Sequence, residues 1–178
     1  MSKSAFRFAA ITMVIVLVFT TTPLSAKQEP PNTTITVVLN GLGCSTAAGT
    51  NTFAANAFSF GATNTTTTTG GGGGGVGKAQ VGGLNVNKAF NECSPALFGA
   101  VVTGKHFPSL RMVHADANGN PVITIDLDDV LVSSYQIAGT AGPDVPSEML
   151  AFSFGKICIT DAASNTKLCY DVAANKIG

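Results

Sequence analysis

The residues with the most definite chemistry are four cysteines, Cys44, Cys93, Cys158 and Cys169. No Cys-x-x-Cys spacing occurs among them, so neither a zinc site nor a redox motif is indicated. A second candidate is Gly72-x-x-x-x-Gly77-Lys78-Ala79, which approaches a phosphate-binding loop. Such a loop cradles phosphates with backbone amides, places its lysine on the β/γ-phosphates and holds magnesium with a Ser or Thr. Here Ala79 stands where the hydroxyl should be, a run of threonines precedes the glycines, and no good helix follows. Nucleotide binding is therefore not expected. Asp126, Asp128 and Asp129 cluster, with Asp144 and Glu148 further on, and carboxylates in number could hold calcium. Their spacing lacks the central glycine and closing glutamate of a calcium loop, so a solvated strand face is expected. The two histidines, His106 and His114, have no second set of ligands spaced for zinc, and no Gly-x-Ser-x-Gly elbow occurs. The expectation is no catalytic site, no metal and no cofactor.

The chain opens on Lys3 and Arg7, an apolar run from Phe8 to Phe19, and Thr20–Ala26 with its Pro23. That order is the basic, apolar and small-residue order of a secretory signal peptide. The apolar run falls short of the ~20 residues of a membrane span. Residues 1–26 are thus expected to be a signal peptide and residues 27–178 one domain, exported and periplasmic or secreted; Leu24 is larger than the cleavage pattern prefers. Ten basic and ten acidic residues cancel, and no basic patch argues for nucleic acid. The low charged fraction of 11% and the 20 glycines suit an extracytoplasmic β-protein or a self-associating subunit. They suit a weakly charged secreted monomer equally well.

Short β-branched or alternating runs bounded by turn residues recur along the domain. Thr34–Leu39 reads as a first strand, residues 42–52 as loop, Ala57–Gly61 as a second strand, and Val81–Lys88 as a third with Leu84, Val86 and Lys88 on one side. Gly82-Gly83 marks a possible bulge. Between the second and third strands, Thr65–Thr69 and Gly70–Gly75 bury nothing and lose the most backbone entropy on ordering, so the segment reads as a flexible loop unless a partner orders it. Ser94 as N-cap and Pro95 as first helical residue open one helix, closed by Gly104; its nearly all-apolar sequence predicts burial. Asn118-Gly119 predicts a hairpin that sets Arg111 opposite Asp126 and Met112 opposite Ile125. The alternation of its second arm slips at Asp128-Asp129, which predicts a bulge. A turn at Ala163-Ser164 would put Cys158 across from Cys169, leaving Cys44 with Cys93 by elimination, although four cysteines allow three connectivities. An even count behind an export signal favours such disulfides. About seven strands and one short helix give an all-β sandwich or partly open barrel.

The ordered segments Phe58-Ser59-Phe60-Gly61, Gly77-Lys78, Leu84–Lys88, Cys93–Phe98, Thr103–Pro108, Leu127–Tyr135, Asp144–Glu148 and Phe152–Ile157 closely resemble the Hcp family of type VI secretion. The resemblance implies a two-sheet β-barrel with one flanking helix. It implies a homo-hexameric ring that stacks into a tube and carries secreted effectors; the charge balance and the incomplete phosphate loop leave no nucleic acid or nucleotide expected as partner. It also implies that the loop before Gly77-Lys78 reaches the neighbouring subunit, which points to Thr69, Gly70, Gly72, Gly74, Gly77 and Lys78 as interface residues. The expected signal peptide departs from ordinary tube subunits, which resemble cytoplasmic proteins. The alternative is an exported Hcp-like domain acting alone as a binding or surface protein.

Overall fold

The computed structural model of the chain describes residues 33–67 and 75–178. The elements in order are β1 (Thr34–Leu39), β2 (Ser45–Thr46), β3 (Gly49–Thr50), β4 (Thr52–Ala55), β5 (Ala57–Ser59), β6 (Ala62–Thr67), β7 (Gly75–Val81), β8 (Leu84–Ala89), α1 (Ser94–Thr103), β9 (His106–Ala115), β10 (Pro121–Ala138), β11 (Ser147–Asp161), β12 (Thr166–Asp171) and β13 (Lys176–Ile177). The fold is all-β with one short helix, as the sequence predicts.

Nine strands form one antiparallel sheet in the order β13-β12-β11-β10-β9-β1-β4. The C-terminal half of β11 pairs with β12 and its N-terminal half with β8, and β5 lies beyond β8. The sheet curls until β4 and β5, neighbours in sequence, stand at opposite ends of the ladder. Asn56 joins them, and its N–H donates to the Asn87 carbonyl at 2.8 Å. Among the described residues no ladder pairs β4 with β8, so in place of the two-sheet barrel expected from the sequence there is one coiled nine-stranded sheet whose strand pairing does not close.

The sheet curls because each strand has one apolar face to bury. Val37 and Leu39 of β1, Leu110 and Met112 of β9, Ile125 and Leu127 of β10, and Leu150 and Phe152 of β11 fill a single core. At the Asn118-Gly119 turn, Gly119 takes φ 82°, and Asp116 Oδ1 accepts the N–H groups of Asn118 and Asn120 at 2.9 and 2.8 Å. The turn fixes the expected register, Arg111 with Asp126 and Met112 with Ile125.

The slip at Asp128-Asp129 has a different origin from the expected bulge. Core-facing positions step from Leu127 to Val130 in β10, from Leu110 to Phe107 in β9, and from buried Ile157 to half-buried Phe154 in β11. The three strands slip together, so their register is unbroken from Leu127 through Val130; the bulges lie elsewhere, at Pro121/Ile123 and Val132/Ser134. Asp129 absorbs the slip at φ 52°, a conformation that aspartate tolerates better than most residues. Beside it stands Gly155, where an added Cβ would lie 3.3 Å from the Asp129 Cβ. The neighbouring position in β9 is Pro108, which has no N–H to leave unpaired. The result is a crease across three strands.

Other expectations are corrected as well. Residues 42–52 hold a small hairpin, β2–β3, and the start of β4. Gly82-Gly83 is not a bulge but the joint between β7 and β8, where the chain runs so close to β11 that a Cβ on Gly83 would lie 2.9 Å from the Phe152 carbonyl oxygen. The helix starts one residue early: Cys93 is the N-cap and Ser94 is helical, with its hydroxyl drawn into a buried polar cluster. Gly104 closes α1 in the left-handed conformation, φ 62°. The helix is buried on one side only; Leu97 and Ala100 face the core, whereas Phe98 is 53% and Val102 64% exposed. No helix among the described residues is long and apolar enough to cross a membrane.

Candidate assembly surface

The expected interface loop falls partly outside the described residues, which exclude Thr69, Gly70, Gly72 and Gly74. Its two arms are described. They form a separate two-stranded ribbon, β6–β7, that pairs Ala62 with Val81 and Thr67 with Gly75 and carries a bulge between Asn64 and Thr66. Gly77 and Lys78 lie within β7, and Lys78 is exposed. Their amides therefore run along a strand rather than around a phosphate. A two-stranded ribbon is marginal in water by itself; this one meets the core at its base through Val81, and Ala62, Ala79 and Val81 line an apolar cavity with Ile157, Leu168 and Tyr170.

The helix is anchored by a cluster that the sequence did not reveal. Lys88 of β8, Glu148 of β11 and Ser94 of α1 are all 0% exposed. The Lys88 ammonium donates to Glu148 Oε2, to Ser94 Oγ at 2.9 Å and to the Ala89 carbonyl at 2.9 Å, which uses its three protons. Ser94 Oγ donates to Glu148 Oε2 at 2.8 Å and accepts the Asn91 N–H at 2.9 Å. The Tyr135 hydroxyl of β10 donates to Glu148 Oε1, and its ring packs against Phe98 at 5.7 Å. Burial, then the bond to Glu148 and its charge, push the Tyr135 phenol up to about 12. Serine beside lysine and carboxylate can be a nucleophile and base, but no substrate reaches this one. A buried pair satisfied on every side holds its elements in one arrangement, and here it fixes α1 against three strands. Glu148 thus lies in the core rather than on the expected solvated face. Pro95 follows Ser94 in the first turn.

The structure joins Cys44 to Cys93 with Cα atoms 5.2 Å apart and Cys158 to Cys169 with Cα atoms 4.0 Å apart. The first ties the β1–β2 connection to the start of α1, and the second ties β12 to β11.

Two outward faces of the sheet meet at the crease. On the helix side, Ser59, Asn85, Ala151 and Ser134 form one cross-strand row, and Ala57, Asn87, Met149 and Gln136 the next. This face carries no charge. On the other side, Arg111, Asp126, Cys158 and Cys169 share a row, followed by Ser109, Asp128, Lys156 and Asp171. Arg111 binds Asp126 through Nε at 2.6 Å and Nη2 at 3.3 Å, which raises the arginine's pKa. Asp126, Asp128 and Asp129 hold no ion-binding arrangement: among the described residues no group of three His, Cys, Asp or Glu could hold a metal. Asp129 instead meets His106 Nδ1 at 3.0 Å on the surface.

Residues 33–160 match the profile of the family described as type VI secretion system effector, Hcp. The chain is 35% identical over 83 residues to Protein hcp1 of Pseudomonas aeruginosa, covering 45% of this chain and 51% of that one, about half its length. A solved type six secretion system protein shares the fold at TM-score 0.73, with 23% identity over 83% of this chain and 100% of its own. Hcp1 from Salmonella typhimurium does so at TM-score 0.69, with 20% identity over 82% of this chain and 99% of its own.

Proposed function

The chain belongs to the Hcp family of type VI secretion proteins, and from that premise we propose that it is a structural tube subunit: it forms homo-hexameric rings that stack and carry effectors. The family's role is structural rather than enzymatic, and the one Ser–Lys–Glu constellation described here is sealed from solvent. The observation that carries the reading is the β6–β7 ribbon, a two-stranded arm that no ladder among the described residues joins to the main sheet and that meets the core through Val81 at its base. A neighbouring copy supplies what the arm lacks. Multi-angle light scattering on residues 27–178 should give a hexamer, and removal of residues 65–75 should give a folded monomer. A protein that stays monomeric at high concentration with its arm intact overturns the reading.

Residues 1–26 as a cleaved signal peptide, with residues 27–178 as the exported domain, favour a second reading: a stand-alone exported binding or surface protein. The two disulfides support it, since such bonds persist in oxidising compartments. Mass spectrometry of the native N-terminus separates the two. A start near Lys27 supports export; retention of residues 1–26 supports assembly from the cytoplasm.

A further inference from the structure

The two disulfides occupy opposite environments. Cys44–Cys93 belongs to the core: Cys93 is 0% exposed and Cys44 9%. Cys158–Cys169 lies on the outward, charged face, in the wall of a groove of ≈ 660 Å³ open to solvent. Cys158 is itself nearly covered, at 6%, whereas Cys169 is half-buried. Lys156 and Lys167 line the same groove, each two residues before one of the cysteines and so on the same face of its strand. Of the acidic neighbours, Asp126 is held by Arg111, Asp171 stands opposite Lys156, and Asp128 lies beside Lys156. The groove is close to neutral overall; the two lysines on the cysteines' own face and the accessibility of the Cys169 sulfur are what favour an attacking and a departing thiolate.

We infer that Cys158–Cys169 is a thiol-exchange site for small-molecule thiols that clasps the β12–β13 ribbon to the sheet, whereas Cys44–Cys93 is inert. A thiolate attacks Cys169 Sγ, the more exposed sulfur. The new sulfur–sulfur bond forms as the old one breaks, and Cys158 leaves as a thiolate beside Lys156. A second thiol attacks the mixed disulfide, releases Cys169 as a thiolate, and departs as the oxidised thiol dimer. The two thiols supply the two electrons. What the bond holds is otherwise weakly held. Leu168 is 57% and Ile177 68% exposed, Tyr170 is the one large side chain of the ribbon that packs on the core, and β12 has only six paired residues on β11. Opening the disulfide lets the ribbon fray and bares the edge of β11 from Lys156 to Asp161.

The test uses native residues 27–178 exposed to dithiothreitol or reduced glutathione, trapped with N-ethylmaleimide and mapped by peptide mass spectrometry. Cys158 and Cys169 should be labelled at least about tenfold faster than Cys44 and Cys93. Hydrogen exchange after this partial reduction should show lost protection in Thr166–Asp171 and not in β1 or β8. Lys156→Gln with Lys167→Gln, both surface changes, should slow the first reduction several-fold. Equal labelling of the two pairs, or earlier labelling of Cys44 and Cys93, overturns the exchange site; unchanged protection of β12 after reduction overturns the clasp. The inference does not depend on the tube role.

Discussion

The helix end of the sheet and its C-terminal ribbon end are held by different means. At the helix end, a buried lysine–glutamate pair, two hydroxyls, a core disulfide and apolar packing all fix α1 in one place. At the ribbon end, a short ladder and one groove-side disulfide hold strands whose apolar side chains are largely exposed. Redundant restraint suits a surface that must present one shape, and sparse restraint suits one that can open. The exposed face of α1, with Phe98 and Val102, belongs to the first kind: an apolar ridge set on a rigid base.

The sharpest way to break this contrast is to remove one partner of the buried pair. Glu148→Ala leaves the Lys88 ammonium without its counter-charge and should cost up to about 5 kcal/mol in denaturant unfolding. A loss below about 1 kcal/mol would mean that the cluster does not restrain the helix. Next are the disulfides. Loop-closure entropy gives about 4 kcal/mol for Cys44–Cys93, separated by 49 residues, and about 3 kcal/mol for Cys158–Cys169, separated by 11. The difference in site should matter more than this difference in size: the Cys44→Ala/Cys93→Ala protein loses global stability, whereas Cys158→Ser/Cys169→Ser loses mainly local protection in β12, read by hydrogen exchange. The smallest effect is with pH. Tyr135 has its pKa raised from 10.0 to about 12 in the folded chain, so its contribution is complete below pH 10 and lost as pH rises through about 12. Tyr135→Phe should flatten that part of the stability–pH curve; an unchanged slope would remove Tyr135 from the cluster's energetics.

Much of this was legible in residue order. The Asn118-Gly119 register, the Gly104 stop and the strand alternation follow from local rules, and the local rules hold. Lys88 carried a signal too, since its parity with Leu84 and Val86 already pointed it inward. Nothing local could show that Glu148, 60 residues on, would meet it there. Without that partner, Glu148 reads as one more surface carboxylate, and Ser94 as a cap rather than a link in a buried cluster. The helix misled in the opposite sense: apolar on all sides, it predicts burial, yet Phe98 and Val102 lie on an uncovered face. The crease was visible as a break in alternation within β10, but its extent across β9 and β11 depends on pairing that one strand cannot reveal.

That crease limits how the gene can be edited. Because Pro108, Asp129 and Gly155 step out of phase together while the ladder stays in register, one inserted or deleted codon in any of the three strands would carry every residue beyond it to the wrong face. Compensation would need matching changes at two other places in the coding sequence, 21 and 26 codons apart along it. Substitution can retune both faces of this sheet; length change at the crease cannot, so variants tolerant of insertion should carry it in the turns and the arm.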